Sequence, residues 1–136
     1  FEIKLIRINS SMELRKSLTY LSKEADAIWL LPDSQVITPE NFHYISSIAS
    51  RSKMPILANS DLLAHAGALM SVTPDRSGVG QQAAELVNSM LTEEEFYSNS
   101  TFLPEIPRVT FNERVQRTIG LEVDQFALGF VDELIQ

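Results

Sequence analysis

The chain has 136 residues, 44% of them hydrophobic, which is enough apolar side chain to fill the core of one ordinary domain. Its formal net charge of −7 argues against a nucleic-acid or anionic-membrane partner, because phosphate groups are bound by basic surfaces. The absence of cysteine excludes structural disulfides and thiolate metal sites, and no apolar run reaches the roughly 18 residues that a membrane-spanning helix needs.

Residues 1–8 predict a strand, and the helical spacing of Leu14, Leu18 and Leu21 predicts that a helix follows it. Apolar and polar side chains alternate at the start of residues 1–8, as they do in a strand. This segment has neither a starting methionine nor a charged leader, so we expect a strand entered midway, in a fragment of a longer protein. Ser10 and Glu13 have the spacing of a capping box, in which two side chains bond to free backbone donors at a helix start.

A buried strand is predicted next. The apolar run 27–31 stops at Pro32, which is typical of a strand that is buried on both faces. Trp29 could stack on a ligand, but its place in the middle of this run favours the core.

A helix and a third strand follow. Thr38 and Pro39 are typical of an N-cap and of the first residue of a helix. Residues 55–58 form the strand. The apolar stripe of the helix consists of Phe42, Ile45, Ile48 and Ala49.

The second half of the chain repeats this alternation. We expect a strand at 68–72, a loop at 73–77 and a helix at 79–91. Residues 98–107 are polar and contain prolines, which predicts an irregular connection.

Three elements are predicted in the last part of the chain. Residues 108–111 form a short strand, and residues 113–119 form a helix that Gly120 ends as its C-cap. Residues 126–135 are apolar enough to pack as a last short helix.

Strands that alternate with helices predict one α/β domain over residues 1–136, Rossmann-like, with three layers and a mainly parallel sheet. In such folds ligands bind beyond the carboxyl ends of the strands. The segments to consider for binding are therefore 32–34, 59–60 and 71–73.

Enzymatic and metal sites are incomplete in the sequence. Asp61 and His65 are four residues apart and could share a helix face, but two ligands fall short of a structural metal site. No G-x-S-x-G motif is present for acyl transfer. A phosphorylated receiver domain needs paired acids after its first strand, where residues 9–11 are Asn, Ser and Ser.

Residues 78–83 fit the G-x-G-x-x-G/A dinucleotide pattern at the start of a predicted helix. A loop separates this pattern from the preceding strand, and no acid stands at 97–100, where the ribose-binding acid is expected. The alternative is a helix start whose glycines allow close packing. We therefore expect neither catalytic residues nor a cofactor, and a nucleotide-binding enzyme domain ranks only third among the functional hypotheses.

Asp33 follows a buried strand, and two interpretations of it stand equal. Its carboxylate can accept charge-assisted hydrogen bonds from a ligand ammonium group. It can equally serve as an Asx-turn residue that bonds to local backbone donors.

Four groups of residues, taken in chain order, resemble the ABC-transporter substrate-binding proteins of the uncharacterised, tryptophan/tyrosine type. Residues 25–34, ADAIWLLPDS, are similar to the family pattern DAIW-x-x-x-D. Residues 54–60, MPILANS, are similar to its P-(V/I)-x-x-S strand. GALMS at 67–71 with GQQAA at 80–84, and RVTFN at 108–112 with Gly120 and Leu121, are similar to two further patterns.

The resemblance implies a type I periplasmic-binding fold, with two lobes that close on a small ligand, of which this chain is the C-terminal portion. Residues 1–61 would form much of the second lobe, 67–91 would cross to the missing first lobe, and the chain would return from 108. It further implies an importer partner and a periplasmic or other extracytoplasmic location. The implied ligand-binding residues are Asp33, Ser34, Asn59, Ser60, Gly67 and Ala68.

An amino-acid-like ligand would place its amino group on Asp33, but two departures leave the ligand open. Residues 116–119 and 110–111 differ from the family pattern. A sensor or interaction module on the same scaffold, without an importer, is the alternative. The fragment alone would expose orphaned apolar surfaces, which predicts that it can form a homodimer.

Overall fold

Strands and helices alternate along the chain in the computed structural model, which describes residues 2–34, 36–92 and 101–136. Within these ranges the helices are α1 (Ser11–Glu24), α2 (Pro39–Arg51), α3 (Asp61–Ala66), α4 (Arg76–Thr92), α5 (Glu113–Ile119) and α6 (Gln125–Leu128). The strands are β1 (Ile28–Trp29), β2 (Ile56–Ala58), β3 (Met70–Pro74), β4 (Pro107–Asn112) and β5 (Glu133–Ile135).

The strands form one sheet in the order β1-β2-β3-β4-β5. Three of the neighbouring pairs, β1–β2, β2–β3 and β4–β5, are parallel, and β3–β4 is antiparallel. A mainly parallel α/β sheet, as expected from the sequence, is confirmed.

Local side-chain and backbone chemistry starts α1 and α2, and ends α5, where the sequence predicts. Ser10 Oγ accepts a hydrogen bond from the Glu13 amide at 3.2 Å, and Thr38 Oγ1 accepts one from the Asn41 amide at 3.2 Å. These bonds satisfy donors that have no partner inside the helix. Gly120 ends α5 with a left-handed backbone, φ 70°, which a residue without Cβ adopts at little cost.

Helices pack against both faces of the sheet. Ile56 and Ala58 join the core cluster that contains the buried residues of α1 and α2. Leu57 stands between Ile56 and Ala58 on β2, so its side chain points to the opposite face of the sheet. Leu57 pairs with Met70, and Met70 pairs with Phe111, so Phe111 also lies on that opposite face. There it packs in a second cluster, which gives the fold three layers. This second cluster includes Leu69, Ile119, Val123, Leu128 and Val131.

The amino-terminal strand prediction is wrong. Residues 2–8 adopt no strand, and Ile3 and Leu5 are exposed. A strand requires a neighbour that completes its ladder of hydrogen bonds, and β1 pairs within the described sheet only with β2. The alternation of apolar and polar side chains in this segment therefore does not produce a strand by itself.

The prediction of a doubly buried strand at 27–31 is also wrong. Only Ile28 and Trp29 form β1, Trp29 is 66% exposed, and Leu31 is exposed as well. Ile28 faces the α1–α2 cluster, and alternation turns Trp29 to the other face.

Three further boundaries differ from the predictions. Thr73 and Pro74 belong to β3, and α4 begins at Arg76, so the loop expected at 73–77 shrinks to one residue. The short α3 was not predicted as an element. The expected helix at 126–135 divides into α6 and β5, because β5 adds a parallel strand to the free side of β4.

Candidate functional site

Two neighbouring strands end at the same edge of the sheet, and polar residues follow both. β1 and β2 are parallel, with Ile28 level with Ile56 and Trp29 level with Leu57. Residues 32–34 and 59–60 therefore lie beyond a common edge, at the carboxyl ends of the strands, where ligands bind in α/β sheets. Asp33 and Ser34 are exposed there, and Asn59 and Ser60 are half-buried.

Asp33 holds a turn at this edge. Its Oδ1 accepts a hydrogen bond from the Val36 amide at 3.2 Å, and its backbone carbonyl accepts one from the Ile37 amide at 2.8 Å. This is the Asx-type contact considered in the sequence. A carboxylate offers about four lone-pair positions, so the turn bond is compatible with a second role towards a ligand.

A small cavity adjoins this turn. It has a volume of about 40 Å³ and is lined by Ile8, Asn9, Ser10, Val36 and Asn41. The side-chain amide of Asn41 donates to the Val36 carbonyl at 2.9 Å and so braces the same loop. Sequence reasoning missed Asn9 and Asn41, because each stands at the start of a helix and resembles an ordinary helix-start residue.

The Asn59–Ser60 segment leads directly into α3. Ser60 is the N-cap residue, and its side chain makes no capping hydrogen bond, although its backbone carbonyl accepts one from the Leu63 amide at 3.0 Å. The position of this segment therefore depends on the residues that fix the start of α3.

Asp61, the first residue of α3, is fixed by hydroxyl groups. Its Oδ1 accepts from Ser71 Oγ at 2.8 Å, from Thr110 Oγ1 at 3.1 Å and from Thr73 Oγ1 at 3.5 Å. The predicted edge segment 71–73 thus lies next to 59–60, but two of its side chains bond to Asp61.

The structure separates Gly67 and Ala68 from the other predicted binding residues. Gly67, with φ +126°, ends α3 and precedes β3, so it lies at the amino end of the parallel strands. It lines a second cavity of about 240 Å³ between α2 and α5, together with Met54 and Arg114. Ala68 is fully buried. Asp33, Ser34, Asn59 and Ser60 are at the opposite edge, and the binding role of all six residues stays a prediction.

A group of charged residues joins α3, β4 and β5. Arg108 Nη2 donates to Glu133 Oε2 at 2.9 Å, and Glu133 Oε1 lies 3.1 Å from His65 Nε2. The hydrogen bond to Glu133 raises the pKa of Arg108 above its ordinary value, and the charges of Asp61 and Asp132 act in the same direction. The described ranges contain no cluster of three or more His, Asp or Glu side chains able to hold a metal ion.

The dinucleotide-like glycines lie inside a helix. Gly78 is the third residue of α4, and its amide donates to Asp75 Oδ2 at 2.6 Å. A phosphate-binding turn places its glycines before the helix, with the amides directed at the ligand. Close packing explains Gly78, where an added Cβ would lie 3.1 Å from Ile106 Cδ1, but it does not explain Gly80, where an added Cβ would meet no heavy atom within 4 Å.

Helix α4 is half-buried on one side and exposed on the other. None of its residues is buried, although it carries Val79, Val87, Met90 and Leu91. The returning segment runs beside it, with Gln82 Nε2 donating to the Leu103 carbonyl at 2.9 Å. None of the helices in the described part of the chain is both long and apolar enough to span a bilayer.

A family model described as ABC transporter substrate binding protein matches residues 1–118 of this chain. A search of curated proteins found no match.

Three similar solved structures share the fold. One is the ABC domain in complex with L-Trp from Streptococcus pneumonia, with a TM-score of 0.67 and 20% identity, covering 94% of this chain and 43% of that one. A conserved domain protein from Vibrio cholerae has a TM-score of 0.65 and 18% identity, and the match covers 91% of this chain and 41% of that one. The ligand-free, open structure of a substrate binding protein with adhesive properties from Clostridium difficile has a TM-score of 0.74 and 19% identity, covering 95% and 42%. The chain thus spans less than half the length of the structures it matches.

Proposed function

Since this chain belongs to the family of ABC transporter substrate binding proteins, we propose that the whole protein binds a small, amino-acid-like ligand in a cleft between two lobes and delivers it to an ABC importer. The observation that carries the proposal is the polar carboxyl edge of two neighbouring parallel strands, where Asp33 and Ser34 follow β1 and Asn59 and Ser60 follow β2. Proteins of this family are periplasmic or extracellular, and the family is one of binding proteins and not of enzymes.

The exposed carboxylate of Asp33 supports a ligand that carries an ammonium group. A hydrogen bond to a charged group contributes about 1.5–3 kcal/mol net. The L-Trp in the similar structure from Streptococcus pneumonia supports an amino acid as the class of ligand. We do not propose a reaction or a cofactor for this site.

Helix α4 supports the two-lobed arrangement. β3 carries the chain out to α4, and β4 returns it to the sheet as the antiparallel neighbour of β3. Side chains such as Val87 and Met90 are exposed in this chain, as expected for a surface that a first lobe covers. Residues 67–91 are accordingly proposed to include the crossover to that lobe.

A second candidate function is an interaction or sensor module on the same scaffold, without an importer. It is favoured by one observation, which is that the similar structure from Clostridium difficile is described as having adhesive properties.

Calorimetric titration of the full-length protein with L-tryptophan and a panel of amino acids tests the first candidate. We expect at least one ligand to bind, and Asp33→Asn to weaken its binding about 10- to 100-fold, since each 1.4 kcal/mol is tenfold in affinity. Asparagine keeps the oxygen that accepts from the Val36 amide, so the turn is retained while the charge is lost.

Asp26→Asn is the matched control, because Asp26 is exposed and precedes β1, at the other edge of the sheet. It should leave affinity unchanged. Absence of binding across the panel would contradict an amino-acid receptor. Equal effects of the two substitutions on affinity would contradict a role of Asp33 in ligand binding.

A further inference from the structure

Three hydroxyl groups from two strands converge on one carboxylate oxygen. Ser71 and Thr73 on β3 and Thr110 on β4 all donate to Oδ1 of Asp61. Ser71 and Thr110 are register partners, so their side chains share a face of the sheet, and both are fully buried. Donors at such depth need a protein partner because water does not reach them.

Asp61 anchors the start of α3, which the side chain of the N-cap residue Ser60 does not do. The Ser60 side chain makes no bond to the first turn of α3, so the N-cap leaves this short helix without its usual side-chain anchor. The bonds of Asp61 to β3 and β4 attach the helix start to the antiparallel strand pair instead. Asn59 and Ser60, which directly precede Asp61, are thereby held at a defined place along the carboxyl edge.

We infer that Asp61 is a positioning residue for ligand binding, which fixes the Asn59–Ser60 segment by accepting the hydroxyls of Ser71, Thr73 and Thr110. This inference rests on the proposed function, since it assigns the segment to the binding edge. It also couples that edge to β3 and β4, the antiparallel strands that precede and follow α4 in the chain.

The alternative role of Asp61 is a general one. Acidic residues are favoured in the first turn of a helix because they interact with the helix dipole. That role requires the negative charge, whereas positioning requires an acceptor oxygen. Asp61→Asn keeps an acceptor and removes the charge, and Asp61→Ala removes both.

The test is made on the full-length protein with the amino acid that wild type binds. We expect Asp61→Ala to weaken binding at least tenfold and Asp61→Asn to remain within about threefold of wild type. A Ser71→Ala, Thr110→Val double substitution removes two donors and should reproduce the loss seen with Asp61→Ala. Similar losses for Asp61→Ala and Asp61→Asn would overturn the inference in favour of the charge.

Leu18→Ala separates positioning from general stability. Leu18 is buried in the core cluster on α1, so this variant loses core packing and none of the hydrogen bonds that hold the start of α3. It should lower the melting temperature and leave affinity unchanged. If it weakens binding as much as Asp61→Ala does, the loss reflects stability and the inference fails.

Amide hydrogen exchange gives a readout that needs no ligand. Asp61→Ala should accelerate exchange at residues 59–63 more than in β2, and Asp61→Asn should restore protection. Unchanged exchange in Asp61→Ala would refute positioning. If wild type binds none of the amino acids, the proposed function fails, and the exchange comparison still decides whether Asp61 holds this segment.

Discussion

Asn112 Nδ2 donates to the backbone carbonyl of Ala64 at 2.8 Å, so the last residue of β4 is bonded to α3 inside the protein. The same side chain caps α5, because its Oδ1 accepts from the Val115 amide at 3.0 Å. Asn112 is only 3% exposed. We expect Asn112→Asp to keep the cap and to place an oxygen against the Ala64 carbonyl, with a loss of stability of about 1–3 kcal/mol or more at neutral pH.

The loss should depend on pH. Burial beside a carbonyl raises the pKa of the introduced carboxyl above its unfolded value, so folding favours the protonated form, which can donate to Ala64. Stability should therefore approach that of wild type below about pH 4 and fall as the pH rises. Urea unfolding of both proteins between pH 4 and 8 measures this. Asn88→Asp, on the exposed side of α4, is the control, and the same pH trend there would contradict the assignment.

Ile45 lies at the centre of the core cluster between α1, α2 and the sheet and is 0% exposed. Ile45→Ala should lower the free energy of unfolding by about 2–5 kcal/mol, since it removes buried methyl groups and leaves a cavity. Leu62→Ala is the control at a residue that is 76% exposed, where the change should stay within about 0.5 kcal/mol. If urea unfolding showed comparable losses of unfolding free energy for the two variants, the buried core position of Ile45 would be contradicted.

The sequence predicts the starts of α1 and α2 because their capping chemistry is local. Ser10 and Thr38 each bond to an amide three residues along, and both caps occur where the residue types indicate. Trp29 shows the opposite case. Its exposure depends on which strand pairs with β1 and which helices cover each face, and neither is encoded in the run 27–31.

Topology explains which part of the candidate site was accessible to prediction. Residues that follow parallel strands share an edge, so Asp33 and Asn59 could be placed together before the fold was known. The same rule puts Gly67, which precedes β3, at the other edge. Asp61 could not be assigned from sequence, because its partners Ser71 and Thr110 are 10 and 49 residues away.

Val87 tests the proposed crossover to a first lobe. In this chain Val87 is 53% exposed on α4, so Val87→Ser should change the stability of the 136-residue chain by no more than about 0.5 kcal/mol. In the full-length protein we expect a clear fall in melting temperature, because the first lobe would bury this side chain. Leu62→Ser, on α3, should have little effect in either protein. An equal effect of Val87→Ser on the stability of the two proteins would contradict the crossover.

Two glycines should respond to the same substitution with opposite signs. Gly80 lies in the interior of α4, and no heavy atom would come within 4 Å of an added Cβ. Gly80→Ala should therefore stabilise the 136-residue chain by about 0.5–1 kcal/mol, since alanine loses less backbone freedom in a helix.

Gly120 also has open space around an added Cβ, but its φ of +70° is left-handed. Gly120→Ala should cost about 1–2 kcal/mol, because Cβ then crowds the following carbonyl. Gly120→Asn should recover part of this loss, since asparagine tolerates the left-handed region. Urea unfolding measures all three variants. If Gly80→Ala destabilised the chain as Gly120→Ala does, Gly80 would need a close contact that its helical position and open surroundings do not provide, and the packing of α4 would have to be reconsidered.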